Sequence, residues 1–360
     1  MQTQLTVGLG ERAYPIHLQH GLLHEVGPVL ATMNLATRWG VISDDRVAGL
    51  YGKSLLASLQ RAGVDACLFT FSRGEASKNL GTVGRLASQL AASRFDRKDG
   101  LIALGGGVPG DITGFVASLY MRGIPFVQVP TSLLAQVDSS VGGKTGVDLP
   151  EGKNLVGTFY QPSAVFLDPQ LLGTLDPQEL RGGLAEVIKH AVIADEAYFA
   201  FMEDHRKAVL QLEEKTIGAM IRRSCEIKAE VVGRDEREGG LRRMLNFGHT
   251  IGHAVEAASN FSIIHGLAVA IGMRCAADLA VRGGLLDPDA AIRIRQLLCA
   301  YGLPVTVPQA LDREQIKGFL RTDKKTVGGR VFFVLPTAVG RVAITDEVKE
   351  SDIDAVLADG

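Results

Sequence analysis

Cysteine is scarce. Four occur in 360 residues (Cys67, Cys225, Cys275 and Cys299), and no two stand at CxxC spacing. That excludes a disulfide-stapled scaffold and a zinc knuckle, and it suits thiols kept in a reducing compartment. An excess of either charge is also missing, since 38 Lys and Arg against 40 Asp and Glu leave a formal charge of −2. No global field therefore draws the chain to nucleic acid or to an anionic membrane. The sequence has no run of 18 uncharged apolar residues, so no membrane span is expected. The opening MQTQLTVGLGERAYP has no basic segment followed by an apolar one, so no signal peptide is expected either. Repeats of 20–50 residues and low-complexity tracts are lacking as well. These absences lead to the expectation of a soluble, cytoplasmic protein with neither a nucleic-acid nor a membrane partner.

What is present is an ordinary globular balance, 46% hydrophobic and 22% charged. The length suits two or three domains. Glycine is the exception: 42 residues, about 12% against a usual ~7%. Such an excess points to loops where backbone approaches a ligand or takes positive φ.

Two halves differ in rhythm. Up to about residue 170, short apolar runs alternate with helical stretches: Trp39–Ser43, Ala66–Phe71, Leu101–Leu104, Pro125–Val129 and Ala164–Leu167. Continuous apolar strands alternating with helices predict a parallel sheet covered on both faces. Leu5–Leu9 and Tyr14–Leu18 predict an edge hairpin. Beyond 170, helical patterns dominate, at 178–195, 196–212, 214–233, 245–260, 264–283 and 288–302. Only Arg330–Leu335 and Gly340–Ile344 revert to strand. The expectation is an α/β domain over 1–170 and a mainly helical domain over 171–360, with a ligand in the cleft joining them.

Three groups of residues carry chemistry. The first is GGGVPGD, which follows the third central strand and opens a helix. Gly105, Gly107 and Gly110 there fit GxGxxG. Small residues let backbone N–H groups reach a pyrophosphate, and the helix N-terminus favours negative charge. The acid usually found about 20 residues later is absent, because that strand ends in Val129-Pro130-Thr131. Asp44, closing the first central strand, either holds a ribose or simply caps a helix.

The second group is histidine-rich. His249 and His253 stand at i, i+4 on one helical face, and His265 opens the next helix. Glu186 lies in LAEVIKH, with Lys189 one turn on and His190 after it. Nitrogen and carboxylate ligands with an open position make a catalytic divalent-metal pattern. The spacing alone nominates His253 beside His249.

The third group is basic. Arg122, Lys144, Lys153 with Asn154, Lys228, Arg242 and Lys324-Lys325 sit among glycines and amides. Cations so placed in a near-neutral chain point to a small anionic ligand carrying phosphate and carboxylate. GGKTG is not a phosphate-binding Walker loop, because Val137 stands where its first glycine would be.

Together the segments GGGVPGDITGF, MRGIPFVQVPTSLLAQVDSSVGGKTGV, GKNLVGTFYQP, GLAEVIKH, LNFGHTIGHAVE, IHGLAVAIGM and DKK resemble the 3-dehydroquinate synthases of the sugar phosphate cyclase superfamily. The resemblance covers most of the chain in order. It implies a Rossmann-like NAD-binding domain, a helical metal- and substrate-binding domain, and a homodimer. It also implies a reaction of 3-deoxy-D-arabino-heptulosonate 7-phosphate. Its C5 hydroxyl is transiently oxidised by NAD, phosphate is eliminated, the hydride returns, and aldol closure gives 3-dehydroquinate. Zinc or cobalt would hold the vicinal hydroxyls.

Position by position, the resemblance makes Glu186, His249 and His265 the metal ligands and puts His253 beside the substrate. It puts Asp44, Arg73, Gly74, Glu75, Lys78, Gly107, Val108, Pro109, Gly110, Asp111, Thr131, Ser132, Asp138, Lys144, Lys153, Leu171, Leu172, Gly173 and Thr174 around NAD. Lys144, Asn154, Lys189, Lys228, Arg242, Asn246 and Lys324 match the substrate shell, and Arg122 a phosphate contact across the dimer. Four positions depart from the usual pattern. Leu267 stands where HGE is common, Asp148-Leu149 replaces Asn-His, and Arg73 replaces an aspartate.

Overall fold

In a computed structural model, residues 3–322 and 331–358 are described. Two units emerge: one runs to Leu175 and takes in Lys228–Gly233, and the other runs from Asp176 onward apart from that segment.

The first unit is built on a seven-stranded sheet of order β1-β2-β9-β6-β5-β3-β4. Its strands are β1 (Thr3–Val7), β2 (Tyr14–Leu18), β3 (Arg38–Asp44), β4 (Asp65–Phe71), β5 (Gly100–Gly105), β6 (Phe126–Pro130) and β9 (Ala164–Leu167). β1 and β2 pair antiparallel at the edge as expected, while every other pairing is parallel. The helices are α1 (Val26–Met33), α2 (Asp45–Val47), α3 (Lys53–Arg61), α4 (Leu80–Ala92) and α5 (Gly107–Leu119). Every residue of β5, β6 and β9 is buried, as continuous apolar runs between helical layers require. Two apolar clusters line the sheet, one around Trp39, Val41 and Phe166, the other around Phe69, Phe95 and Phe115.

The strand order reverses between β3 and β5. From β3 the chain steps outward to β4, then returns to β3's other side as β5 and continues to β6 and β9. Such a switch point opens a crevice at the carboxyl ends of the strands.

One element was not legible in the sequence. Lys144–Leu149 (β7) and Gly152–Phe159 (β8) form a separate antiparallel hairpin. Sequence reading gave only cation-bearing glycine loops there. Gly146 and Gly157 hide the strand pattern, and each is small because the backbones nearly touch: a Cβ on Gly157 would lie 2.1 Å from the Thr145 carbonyl oxygen.

The second unit contains α6 (Pro177–Ala194), α7 (Glu196–Asp204), α8 (Arg206–Leu210), α9 (Glu214–Arg234), α10 (His249–Ala258), α11 (His265–Arg282), α12 (Pro288–Ala300), α13 (Arg313–Thr322) and α14 (Glu350–Ala358). The stretch Lys228–Gly233 of α9 belongs to the first unit. A hairpin of β10 (Phe333–Ala338) and β11 (Arg341–Thr345) completes it. Aspartate caps start the helices cleanly: Asp176 accepts from Gln178 N–H, Asp195 from Tyr198 N–H and Asp287 from Asp289 N–H. Pro177 and Pro288 follow the first and third of these caps, where a missing N–H costs nothing.

Three expectations are corrected. The helix read over 196–212 breaks at His205 (φ −104°, ψ 14°), giving α7 and α8. The helix read over 245–260 is a 3-10 turn, Leu241–Asn246, then a break at Gly248 (φ 78°), then α10. Helices α13 and α14 were not anticipated, because their short amphipathic patterns lie among charged residues. Among the described residues, no helix is long and apolar enough to cross a membrane.

Candidate active site

In the first unit the site residues follow from sheet register. Leu18 lies opposite Leu167, Gly105 opposite Pro130, Ser43 opposite Leu104 and Asp44 opposite Phe71. The strand ends therefore fall on one line, and the loops leaving it carry nearly every residue expected around a nucleotide. Asp44 leaves β3; Arg73, Gly74, Glu75 and Lys78 follow β4. Gly107 to Asp111 follow β5, Thr131 and Ser132 follow β6, and Leu171 to Thr174 follow β9.

At β5 the chain passes directly into α5, whose cap residue Gly106 offers no side-chain acceptor. The first N–H groups of a 13-residue helix are thus left for an anion. A Cβ on Gly105 would come 2.4 Å from Pro109 Cγ, so the tight turn requires glycine. Thr131 N–H donates to the Gly105 carbonyl (2.9 Å), and Ser132 Oγ accepts from Ala135 N–H (3.3 Å). Asp44 Oδ1 accepts from Val47 N–H (2.9 Å), so the carboxylate caps α2. Its neighbour Asp45 accepts from Arg73 N–H (3.1 Å). Leu171 O accepts from the Tyr51 hydroxyl (2.9 Å), which also bonds Thr174 Oγ1.

A polar knot lies beside this line. Lys78, 5% exposed, pairs with Asp111 (2.7 Å) and donates to Asn154 Oδ1. Burial pulls the Lys78 ammonium down, but the carboxylates of Asp111, Glu75 and Asp148 together more than offset it and hold the pKa above its ordinary value. Asn154 takes a left-handed backbone (φ 54°), held by its N–H to Asp148 Oδ1 (2.7 Å). Lys153 lies 3.8 Å from Glu75. Lys228 donates to Asp138 at both its carboxylate and its carbonyl. Lys144 opens β7 and is exposed. Arg122 is exposed too, in a turn where Met121, Arg122 and Gly123 all have positive φ (50°, 71° and 121°).

In the second unit α6, α10 and α11 bring the histidines and Glu186 together. Glycines let these helices approach closely. A Cβ on Gly266 would lie 2.1 Å from Gly182 O, and one on Gly272 would lie 1.9 Å from Gly248 O. His249 begins α10 and His265 begins α11, while Glu186 projects from α6. Glu186 is fully buried; its Oε1 lies 3.6 Å from His249 Nε2 and 3.7 Å from His265 Nε2, and among the described residues no hydrogen-bond donor reaches it. Lys189, 1% exposed, ion-pairs with the other oxygen. Ligand atoms of His249, His253 and His265 lie within 4.8 Å of one another, so the i, i+4 partner favoured by spacing is in the cluster as well.

This donor set fits a divalent metal. A buried carboxylate oxygen without a donor is costly, and here it faces two imidazole nitrogens at distances a cation can bridge by small rotations. Nitrogen and oxygen donors of this kind suit zinc or cobalt.

Arg242 is buried and reaches the Glu236 carbonyl, while Asn246 Nδ2 donates to Glu238 Oε1 (2.7 Å). Their loop is gathered by Asp235, missed in the sequence, which accepts from the N–H groups of Gly239, Gly240 and Arg242 at 2.8, 2.8 and 2.9 Å. Those donors, that of Arg242 foremost, hold the Asp235 carboxyl below its ordinary pKa. Its sequence signal was the Asp-x3-Gly-Gly spacing of an Asx-type turn. Lys324 lies outside the described residues. His190 is fully buried, neither ring nitrogen has a hydrogen-bond partner among the described residues, and burial, with help from the Lys189 charge, pushes it well below 6.5.

A strand-end shelf with an open helix N-terminus and a helical carboxylate–histidine centre, on one chain, are the architecture of the sugar phosphate cyclases. Residues 68–182 match the model for the 3-dehydroquinate synthase N-terminal part, and residues 183–326 match that for its C-terminal part. A 3-dehydroquinate synthase from Thermodesulfovibrio yellowstonii is 45% identical over 355 residues, 98% of this chain and 99% of the relative. Among solved structures, 2-epi-5-epi-valiolone synthase from Streptomyces hygroscopicus subsp. jinggangensis, with NAD+ and Zn2+ bound, aligns with a TM-score of 0.88 at 32% identity. That alignment covers 96% of this chain and 95% of the other. A 2-deoxy-scyllo-inosose synthase complexed with carbaglucose-6-phosphate, NAD+ and Co2+ gives 0.92 at 27% identity, over 99% and 100% of the two chains. The chain belongs to the 3-dehydroquinate synthase family.

Proposed function

We propose that this protein is a carbon–oxygen lyase that converts 3-deoxy-D-arabino-heptulosonate 7-phosphate to 3-dehydroquinate and phosphate. The observation that carries the reading is the buried Glu186 Oε1 facing two imidazole nitrogens in a chain 45% identical to a 3-dehydroquinate synthase over nearly its whole length. The NAD-binding part corresponds to residues 1–170 and the metal- and substrate-binding part to 171–360.

Bound NAD would supply a hydride acceptor that is regenerated within each cycle, and a divalent zinc or cobalt ion a Lewis acid for vicinal hydroxyls. Glu186, His249 and His265 would hold the metal. The shelf residues would hold the dinucleotide, with the pyrophosphate on the N–H groups of Gly107 and Val108 and the polar knot of Lys78 and Asp111 fixing its orientation. Lys144, Asn154, Lys189, Lys228, Arg242, Asn246 and Lys324 would neutralise and position a substrate carrying carboxylate and phosphate. Buried cations attract such a dianion more strongly than exposed ones, because the surroundings screen less. His253 would move a proton at an imidazole nitrogen near the substrate. Arg122, exposed on a strained turn, would serve the phosphate of a second copy in a homodimer. The reading places the protein in the cytoplasm.

The test is phosphate release from the heptulosonate phosphate by purified protein supplied with NAD and zinc. Turnover with no net gain of NADH supports the reading. Accumulating NADH would mark a dehydrogenase instead. Preference for sedoheptulose 7-phosphate would mark another cyclase, and intact NAD and metal binding with no phosphate release a non-catalytic relative.

A further inference from the structure

The two histidines that face Glu186 have their other ring nitrogens tied. His249 Nδ1 lies 3.1 Å from the Phe247 carbonyl oxygen, and His265 Nδ1 lies 3.0 Å from Glu256 Oε2. A carbonyl and a carboxylate only accept, so in both rings Nδ1 carries the hydrogen and Nε2 carries the lone pair. The two Nε2 atoms are also the ones nearest Glu186 Oε1. The acceptors differ in kind. Phe247 O is fixed by the backbone break before α10. Glu256 is a side chain, 4% exposed, on the same face of α10 as His249 and His253 (positions i, i+4 and i+7). A carboxylate kept that deep needs partners, and the ring of His265 is one of them.

We propose that Glu256 is a positioning residue of the metal centre: it locks the tautomer and orientation of His265 and supplies the negative charge that makes the centre attractive to a divalent cation. Glu186 pairs with Lys189, and Glu256 brings a second carboxylate, held against His265, to the two-histidine face. A carboxylate behind a ligating imidazole raises its basicity and fixes its aim, and losing one weakens metal binding about 10- to 100-fold. The inference rests on the proposed role of Glu186, His249 and His265 as ligands, and its test separates the two.

Zinc affinity of the full chain is measured by competition with a chromophoric chelator for wild type, Glu256→Ala, Glu256→Gln and His249→Ala. Glu256→Ala is expected to bind about 10- to 100-fold more weakly. Glu256→Gln is expected to fall between it and wild type, because an amide oxygen still accepts from Nδ1 but brings no charge. Cobalt-loaded Glu256→Ala should also show a changed visible ligand-field spectrum. Should Glu256→Ala fail to fold, the nitrogen-15 spectrum of metal-free wild type decides. His265 protonated at Nδ1 supports the proposal, and an Nε2–H tautomer overturns it. Wild-type affinity in Glu256→Ala, with binding lost in His249→Ala, overturns the proposal and leaves the ligand reading standing. Binding unaffected by His249→Ala overturns both. Weakened metal binding in Glu256→Ala from a protein that turns over no heptulosonate phosphate keeps the proposal and removes the substrate reading.

Discussion

The nucleotide shelf and the metal cluster are made of different materials. The shelf is a product of backbone: parallel strands end in register, and small residues leave the space. The cluster is a product of side chains that come from positions 186, 249, 253 and 265 and meet only because three helices pack at glycine distance. Backbone sites tolerate many substitutions but depend on a few glycines and caps. Side-chain sites concentrate charge, so a single truncation leaves an uncompensated ion in the interior.

The largest effect is expected at Glu186. Glu186→Ala removes a proposed ligand and takes the carboxylate away from the buried Lys189 ammonium. Phosphate release should fall by about a thousandfold or more, in line with a metal contribution of several kcal/mol. Stability in urea should drop by about 3–5 kcal/mol. Adding Lys189→Met should recover much of the stability and none of the activity. A single mutant as stable as wild type would show that the ion pair is not the burden it is taken to be.

Next is Gly272→Ala. The added methyl has no room beside Gly248 O at 1.9 Å, so α10 and α11 must part. Overpacking of this kind costs about 1–3 kcal/mol. Metal affinity should fall with it, whereas NAD affinity should hold, and calorimetric titration of both ligands separates the two sites. Equal losses at both would break the contrast drawn here.

A pH effect follows in the same unit. His190 is held neutral, with its pKa well below 6.5. The unfolded chain takes up a proton there before the folded one does, so stability is lost as pH falls below 6.5, with a slope of at most about 1.4 kcal/mol per pH unit. The loss ends once the folded pKa is passed. His190→Met should flatten that part of the stability curve, as followed by chemical denaturation between pH 7 and pH 5. An unchanged slope would assign the effect to other groups.

The smallest change tests the shelf. Asp44→Asn keeps a capping side chain, so stability should stay within about 0.5 kcal/mol. If the carboxylate also holds a ribose, NAD affinity should drop several-fold. Unaltered affinity would leave Asp44 as a helix cap alone.

How much of this was legible in the sequence follows the same division. The central strands and the glycine turn were readable, because continuous apolar runs and GGG before a helix have few other meanings. The β7–β8 hairpin was not, since Gly146 and Gly157 interrupt its alternation for steric reasons visible only across the pair. In the helical unit, spacing favoured His249 with His253; Glu186 and His265 stood among the candidate donors, and the family resemblance made them ligands in place of His253. Helical periodicity relates residues along one helix but is silent about which helices meet. Glu256 was missed although its place at i+7 from His249 was in view, because an acid on a helix is ordinarily read as a solvated face. Asp148 was read only as a departure from the family pattern, and Asp235 was missed although its Asp-x3-Gly-Gly spacing was in view: what both bind is backbone N–H, which apolar periodicity does not reveal.

Because α9 hands its last turns, Lys228–Gly233, to the first unit, the boundary near Leu175 is not a place to cut. A fragment ending there would lack the ammonium that meets Asp138 and the backbone that lies against Gly8. The halves are therefore poor candidates for separate expression or for swapping between relatives. Any exchange of parts has to carry this helix tail along with the sheet it serves.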